Sequence, residues 1–201
     1  MNYLALGDSY TIGEGVAEES RWPMQLAQAL RSEGIALEDP DIIASTGWTT
    51  DELGAAIDAA QPANDFALVS LLIGVNNQYR GRSVDEYRHE FAALLERAIG
   101  FAGGRSGRVL VLSIPDWGVT RFGHDSGRDL AAVACELDAY NAAAHVVCTA
   151  RGVAFVDITP VSRGLGAEPA MLADDGLHPS AAMHAQWMQL ALPVARRLLE
   201  P

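Results

Sequence analysis

Apolar residues gather into five short runs, Tyr3 to Leu6, Asp41 to Ser45, Ala67 to Ile73, Arg108 to Ile114 and Val153 to Ile158, apolar almost throughout instead of alternating. Runs of this kind suit strands covered on both faces. Between them the period changes. Trp22, Leu26 and Leu30, then Leu53, Ile57 and Ala60, then Tyr87, Phe91, Leu94, Leu95 and Ala98 each supply one stripe of a helix. A longer helix is predicted from about Ser126 to Arg151, with Leu130, Val133, Leu137, Tyr140, Ala144 and Val147 on one side. A last helix after Ser180 carries Met183, Trp187, Leu190, Val194 and Leu198.

Polar punctuation sharpens these boundaries. Ser20, Thr49 with Glu52, and Ser83 with Glu86 mark helix starts, the last two with the spacing of a capping box. Gly34 and Gly100 are expected stops, and Ser162 to Asp174 is expected to be a surface loop. Strands alternating with helices imply right-handed crossovers and a parallel sheet sandwiched between helices. No repeat or linker interrupts the 201 residues, so one domain over residues 1–201 is expected.

Composition narrows the function. A formal charge of -12 disfavours nucleic acid as the main partner, because phosphate binding needs a positive footprint. All fourteen basic residues are arginine, which excludes Schiff-base and Ser-Lys chemistry. Cys135 and Cys148 fall in one predicted helix roughly 20 Å apart, too far for a disulfide, and both are read as buried thiols. No basic segment followed by a long apolar run opens the chain, so no membrane span is expected and a cytoplasmic location is the default.

In an open α/β sheet, ligands bind beyond the carboxyl ends of the strands. The residues there are Gly7-Asp8-Ser9-Tyr10, Ser45-Thr46-Gly47-Trp48, Gly74-Val75-Asn76-Asn77 and, past a loop, Asp175-Gly176-Leu177-His178-Pro179. A serine hydroxyl is a poor nucleophile unless a base, usually histidine, sits beside it and a third group holds the imidazole. His178 and Asp175 can supply both functions for Ser9, with Gly176 giving the backbone freedom to bring the carboxylate onto one ring nitrogen.

Taken in order and spacing, these four motifs resemble the SGNH hydrolases, the GDSL family of esterases and lipases, from residue 7 to residue 178. The resemblance implies a flavodoxin-like three-layer α/β/α sandwich with a five-stranded parallel sheet in the order 2-1-3-4-5. It also implies a Ser9, His178, Asp175 triad, and an oxyanion hole made of the backbone N–H of Ser9, the backbone N–H of Gly47 and the side-chain amide of Asn76. No cofactor and no metal is implied. The expected reaction is acyl transfer from a small-molecule ester to water. The chain spends few residues on insertions, which favours short acyl esters over lipids. A deacetylase of an acetylated carbohydrate or small metabolite is the alternative enzyme, and a catalytically silent binding domain the alternative from another class.

Two positions depart from the family pattern. Tyr10 replaces the usual leucine, at a position expected to be tolerant, and Asn77 replaces the usual aspartate and removes a carboxylate near the site. Simpler roles compete at several residues. Ser9 and Asn76 could cap loops, Gly47 could shape a turn, and Asp174 competes with Asp175 for His178, although the x-x spacing favours Asp175. Asp8 is read as structural. His89, His124, His145 and His184 lack metal-ligand spacing, and no Gly-Lys-Ser/Thr follows the glycines of residues 7–15 to form a phosphate loop. Trp48, Tyr79, Arg80 and Trp117 follow strands and could line a pocket or simply pack.

Overall fold

The computed structural model describes residues 1–200. Five strands, β1 (Tyr3–Gly7), β2 (Asp41–Ala44), β3 (Leu68–Leu72), β4 (Val109–Leu112) and β5 (Ala154–Val156), form one parallel sheet in the order β2-β1-β3-β4-β5. The central strands β1, β3 and β4 are buried at every position, whereas β2 and β5, at the edges, are partly exposed. Full burial is why the central runs read as continuously apolar. The buried hydroxyls of Tyr3 and Ser70 pair with each other at 2.8 Å across β1 and β3, so the sheet centre holds no unsatisfied side-chain oxygen there.

Among the described residues nine α-helices accompany the strands: α1 (Ser9–Ile12), α2 (Trp22–Ser32), α3 (Thr50–Ala60), α4 (Val75–Tyr79), α5 (Val84–Phe101), α6 (Arg121–Asp125), α7 (Leu130–Arg151), α8 (Thr159–Leu165) and α9 (Ala181–Leu199). One layer is built from α2 packed on α9, which also meets β3, β4 and β5; the other is built from α3, α5 and α7, which meet β2, β3 and β5. Connections run one way from β1 to β2 and the other way from β3 onward, so a crevice opens between the carboxyl ends of β1 and β3.

Several boundaries differ from the sequence expectation. Ser20 closes a 3-10 turn (Glu18–Ser20), and α2 starts after Arg21 with Pro23 in its first turn, where the missing N–H costs nothing. Gly100 lies inside α5; the chain leaves the helix at Gly103 and Gly104, whose φ of +67° and +78° are the left-handed values an exit requires. The helix predicted from Ser126 starts at Leu130, because Asp129 accepts the Ala131 and Ala132 N–H groups at 3.0 and 3.1 Å and Gly127, at φ +71°, breaks the path from α6.

Ser162 to Asp174 is not all loop. It begins inside α8, started by Pro160, and Ser162 is buried, accepting the Asp116 N–H at 2.9 Å. On α9 the buried face continues from Trp187 through Ala191, Ala195 and Leu199, leaving Leu190 exposed. Cys148 is buried as expected, but Cys135 is exposed.

Gly7 shows how tightly the end of β1 is packed. A Cβ there would lie 2.2 Å from Thr11 Oγ1 and 2.5 Å from the Leu72 carbonyl oxygen, and the backbone of β3 cannot move aside. Gly7→Ala is expected to lower unfolding free energy by about 1–3 kcal/mol, measured as a lower urea midpoint at unchanged slope. An unchanged midpoint would show that β1 and β3 tolerate separation.

Candidate active site

The turn after β1 is held by Asp8. Its carbonyl accepts the N–H groups of Thr11 and Ile12, both at 3.0 Å, and its Oδ1 accepts the Tyr10 N–H at 3.0 Å. Asp8 therefore caps α1 and sets Ser9 as the first residue of that short helix, buried but lining a cavity. The Ser9 N–H has no partner among the described residues.

Gly47 follows β2 at φ +87°, a conformation that excludes most side chains. Two side chains from α4 and its end clamp this loop. Asn76 Nδ2 donates to the Trp48 carbonyl at 2.9 Å, and Arg80, paired with Glu52, donates to the Gly47 carbonyl at 2.6 Å. With its carbonyl so occupied, Gly47 keeps an N–H without a partner among the described residues, and Asn76 keeps a second amide N–H.

Asn77 takes a structural part in the same clamp. Its Oδ1 accepts the Thr50 N–H at 3.1 Å at the start of α3, and its Nδ2 donates to the Thr50 hydroxyl at 2.6 Å. The Thr50 hydroxyl in turn makes a short hydrogen bond to Glu90. A carboxylate thus sits beside this network, supplied by α5 and not by position 77. The start of α3 is also held by the Glu52 carboxylate, which accepts the Thr49 N–H at 2.8 Å as the capping-box spacing anticipates.

The fourth segment is a tight turn. Asp175 Oδ1 accepts the N–H groups of Leu177 and His178 at 2.8 and 3.0 Å, and its Oδ2 lies 2.5 Å from His178 Nδ1. Gly176 takes φ +71°, the freedom this turn needs. Although burial pushes the Asp175 carboxyl up, the His178 imidazole and the two N–H donors outweigh it and hold the carboxyl below its ordinary value. Asp174 makes no such contact; its carbonyl accepts from Arg121 at 2.9 Å, and the Gly176 carbonyl accepts the Phe122 N–H at 3.0 Å, so α6 braces the turn from outside.

Ser9, Gly47, Asn76 and His178 converge on one cavity of about 220 Å³, completed by Tyr10, Thr46, Val75, Tyr79, Trp117, Phe122 and Leu177. Asp175 stands behind His178 and leaves Nε2 as the free ring nitrogen. A larger cavity of about 590 Å³ lies on the outer side of the turn, lined by Arg121, His124 and Asp174 among others, and contains none of those four residues. Convergence of polar groups, and not size, makes the smaller cavity the candidate site. Of the aromatic and basic residues that follow strands, Tyr79 and Trp117 line the cavity, while Trp48 and Arg80 act through the clamp.

Three participants were not anticipated. Tyr10 packs edge-on against His178, with ring centroids 6.3 Å apart, and against Trp187 at 5.7 Å, so the position expected to be tolerant contacts the imidazole. Its place beside Ser9 was the available signal. Phe122 and Leu177 complete the cavity wall, and nothing in their local sequence marks them. Behind Trp187, His184 is fully buried, accepts the Trp22 N–H at 3.3 Å, and is pushed down to about 3, first by burial. Among the described residues no group of three histidine, cysteine or acidic side chains could hold a metal ion.

Asp8 is fully buried with Oδ2 unpartnered, and burial raises its carboxyl to about 7 against N–H donors that oppose the shift. A carboxyl raised on folding favours the folded state when protonated. Its contribution is greatest below the unfolded value near 4 and is lost as pH rises through about 7. Asp8→Asn removes the ionisation and keeps an acceptor for Tyr10. The variant should gain on the order of 3 kcal/mol over the parent between pH 4 and pH 8 in urea unfolding. A pH-independent difference would contradict the buried-carboxyl reading.

The match to the model of the GDSL-like Lipase/Acylhydrolase family covers residues 5–186. No curated protein matches. Among solved structures, TesA superposes with a TM-score of 0.77 at 21% identity, covering 99% of this chain and 100% of that one. The psychrotrophic esterase EstA from Pseudoalteromonas sp. gives 0.70 at 15% identity, with 98% of each chain covered. Axe2, an acetylxylan esterase from Geobacillus stearothermophilus, gives 0.70 at 19% identity over 100% of this chain and 94% of that one. At these identities the likeness shows the fold, the α/β sandwich of the SGNH hydrolases. The family match covers most of the chain: this protein belongs to the GDSL-like lipase/acylhydrolase family and is a hydrolase.

Proposed function

We propose that the protein hydrolyses carboxylic esters of short acids through Ser9 as nucleophile, His178 as base and Asp175 as the group that orients it. The observation that carries this reading is the convergence of Ser9, Gly47, Asn76 and His178 on one small cavity, with a carboxylate 2.5 Å from His178 Nδ1. Asp175 then holds Nδ1 protonated, and Nε2 takes the Ser9 proton as Oγ attacks the ester carbonyl. The charge on the carbonyl oxygen is met by the Ser9 N–H, the Gly47 N–H and the free amide N–H of Asn76. The alcohol leaves with the proton from His178. Water, activated by the same nitrogen, releases the acid and restores Ser9.

Each donor is fixed before substrate arrives, which is what makes such donors effective in a transition state. Asn76 is pinned by the Trp48 carbonyl and Gly47 by Arg80. None of these steps calls for a cofactor, and the substrate is a small-molecule ester. No helix among the described residues is long and apolar enough to cross a membrane. The second reading, removal of acetyl groups from a carbohydrate, is favoured by the structural likeness to Axe2 and uses the same groups.

Ser9→Ala should lower kcat on a short acyl ester by at least about 10⁴-fold, and Asn76→Ala by about 10²- to 10³-fold, with the fold intact by circular dichroism. Full activity in Ser9→Ala would sink the mechanism.

A further inference from the structure

Beyond its polar end, the 220 Å³ cavity is walled by Val75, Tyr79, Trp117, Phe122 and Leu177. The three rings form a mutually touching set. Tyr79 and Trp117 meet edge-on with centroids 5.4 Å apart, Trp117 and Phe122 lie 6.1 Å apart, and Tyr79 and Phe122 6.5 Å. Each ring is braced from outside the cavity. Trp117 Nε1 donates to Gln78 Oε1 at 2.9 Å, and Gln78 donates onward to Glu136 at 2.6 Å. The Arg128 guanidinium lies 4.4 Å over the Tyr79 ring and donates to the Tyr79 carbonyl at 2.8 Å. The Phe122 N–H is tied to Gly176.

We propose that this wall is a preformed seat for an aromatic ring, so that the substrates are esters carrying a neutral aryl group close to the scissile bond. The inference rests on Ser9 being the nucleophile and names the substrate class for that same site. Volume fits one ring: a protein cavity of about 150 Å³ holds benzene, and this cavity measures about 220 Å³. Charge fits a neutral group, since no arginine, aspartate or glutamate side chain lines the cavity. Polarity argues against a sugar. The indole N–H is spent on Gln78, the Thr46 hydroxyl proton is spent on Glu14, and the wall of Val75, Tyr79, Trp117, Phe122 and Leu177 offers no further side-chain donor or acceptor beyond the Tyr79 hydroxyl. Rigid aromatic walls reward a flat ring above an equally large saturated one, because edge and face contacts add to burial.

The test compares kcat/KM of the full chain on ethyl acetate, benzyl acetate, ethyl phenylacetate, cyclohexylmethyl acetate and a peracetylated xyloside. Benzyl acetate puts the ring on the alcohol side and ethyl phenylacetate on the acyl side, so the two arms locate the seat. One of them should exceed ethyl acetate by at least about tenfold, and a benzyl group should exceed cyclohexylmethyl by about two- to tenfold if the seat lies on the alcohol side. Phe122→Leu and Tyr79→Leu, assayed on the same set, should shrink the preference for the ring. Ratios within about twofold of one, or a preference for the xyloside, would overturn the aryl assignment while leaving the nucleophile untouched. Ser9→Ala is run in parallel: parent-level turnover of the aryl ester by that variant would overturn the nucleophile reading, and this inference with it.

Discussion

The register of β1 against β3 is the constraint on which the site depends. Tyr3 pairs with Leu68 and Gly7 with Leu72, so the two central strands end side by side, with Ser9 just beyond one and Asn76 just beyond the other. Because side chains alternate along a strand, a slip of one residue would turn both inner faces over and separate these groups. Gly7 is where this register is felt most closely, with Thr11 and the β3 backbone filling the space a side chain would need. β2 joins the same edge through Gly7 opposite Ala44, and Gly47 follows three residues later.

The frame was legible in the sequence because its signals are physical and local. Central strands buried on both faces read as unbroken apolar runs, and each of the five was found within a few residues. The motifs at the strand ends could be placed on one edge because a parallel sheet leaves no other arrangement. What the sequence hid depends on tertiary partners. Phe122 and Leu177 have no periodic or capping signature; they become wall residues because α6 is tied to the Asp175 turn. The local sequence marks Tyr10 only by its place beside Ser9, yet its contacts come from His178 and Trp187, more than 160 residues away. The buried face of α9 runs through Ala191 and Ala195 instead of Leu190, and alanines are weak hydrophobic signals in a sequence.

A division of labour runs through the polar residues. Ser9, Gly47, Asn76 and His178 meet the cavity, and the residues that hold them in place mostly do not line it. Asp8 sets the turn at Ser9, Arg80 occupies the Gly47 carbonyl, Asn77 anchors α3, and Asp175 spends three hydrogen bonds on shaping its own turn and fixing the imidazole. The replacement of aspartate by Asn77 fits this scheme, since an amide can both accept from Thr50 N–H and donate to its hydroxyl, while Glu90 supplies the neighbouring charge. Burying Asp8 without a partner for Oδ2 is a local cost accepted at the turn that presents Ser9.

The central claim is that Ser9 is the one serine activated for attack, and that His178 activates it. Peptide mass spectrometry after treatment with a fluorophosphonate measures this directly. A single adduct is expected, on the peptide bearing Ser9, and it should form far more slowly in His178→Ala. An adduct on another serine, or ester hydrolysis that persists with Ser9 unmodified, would contradict it.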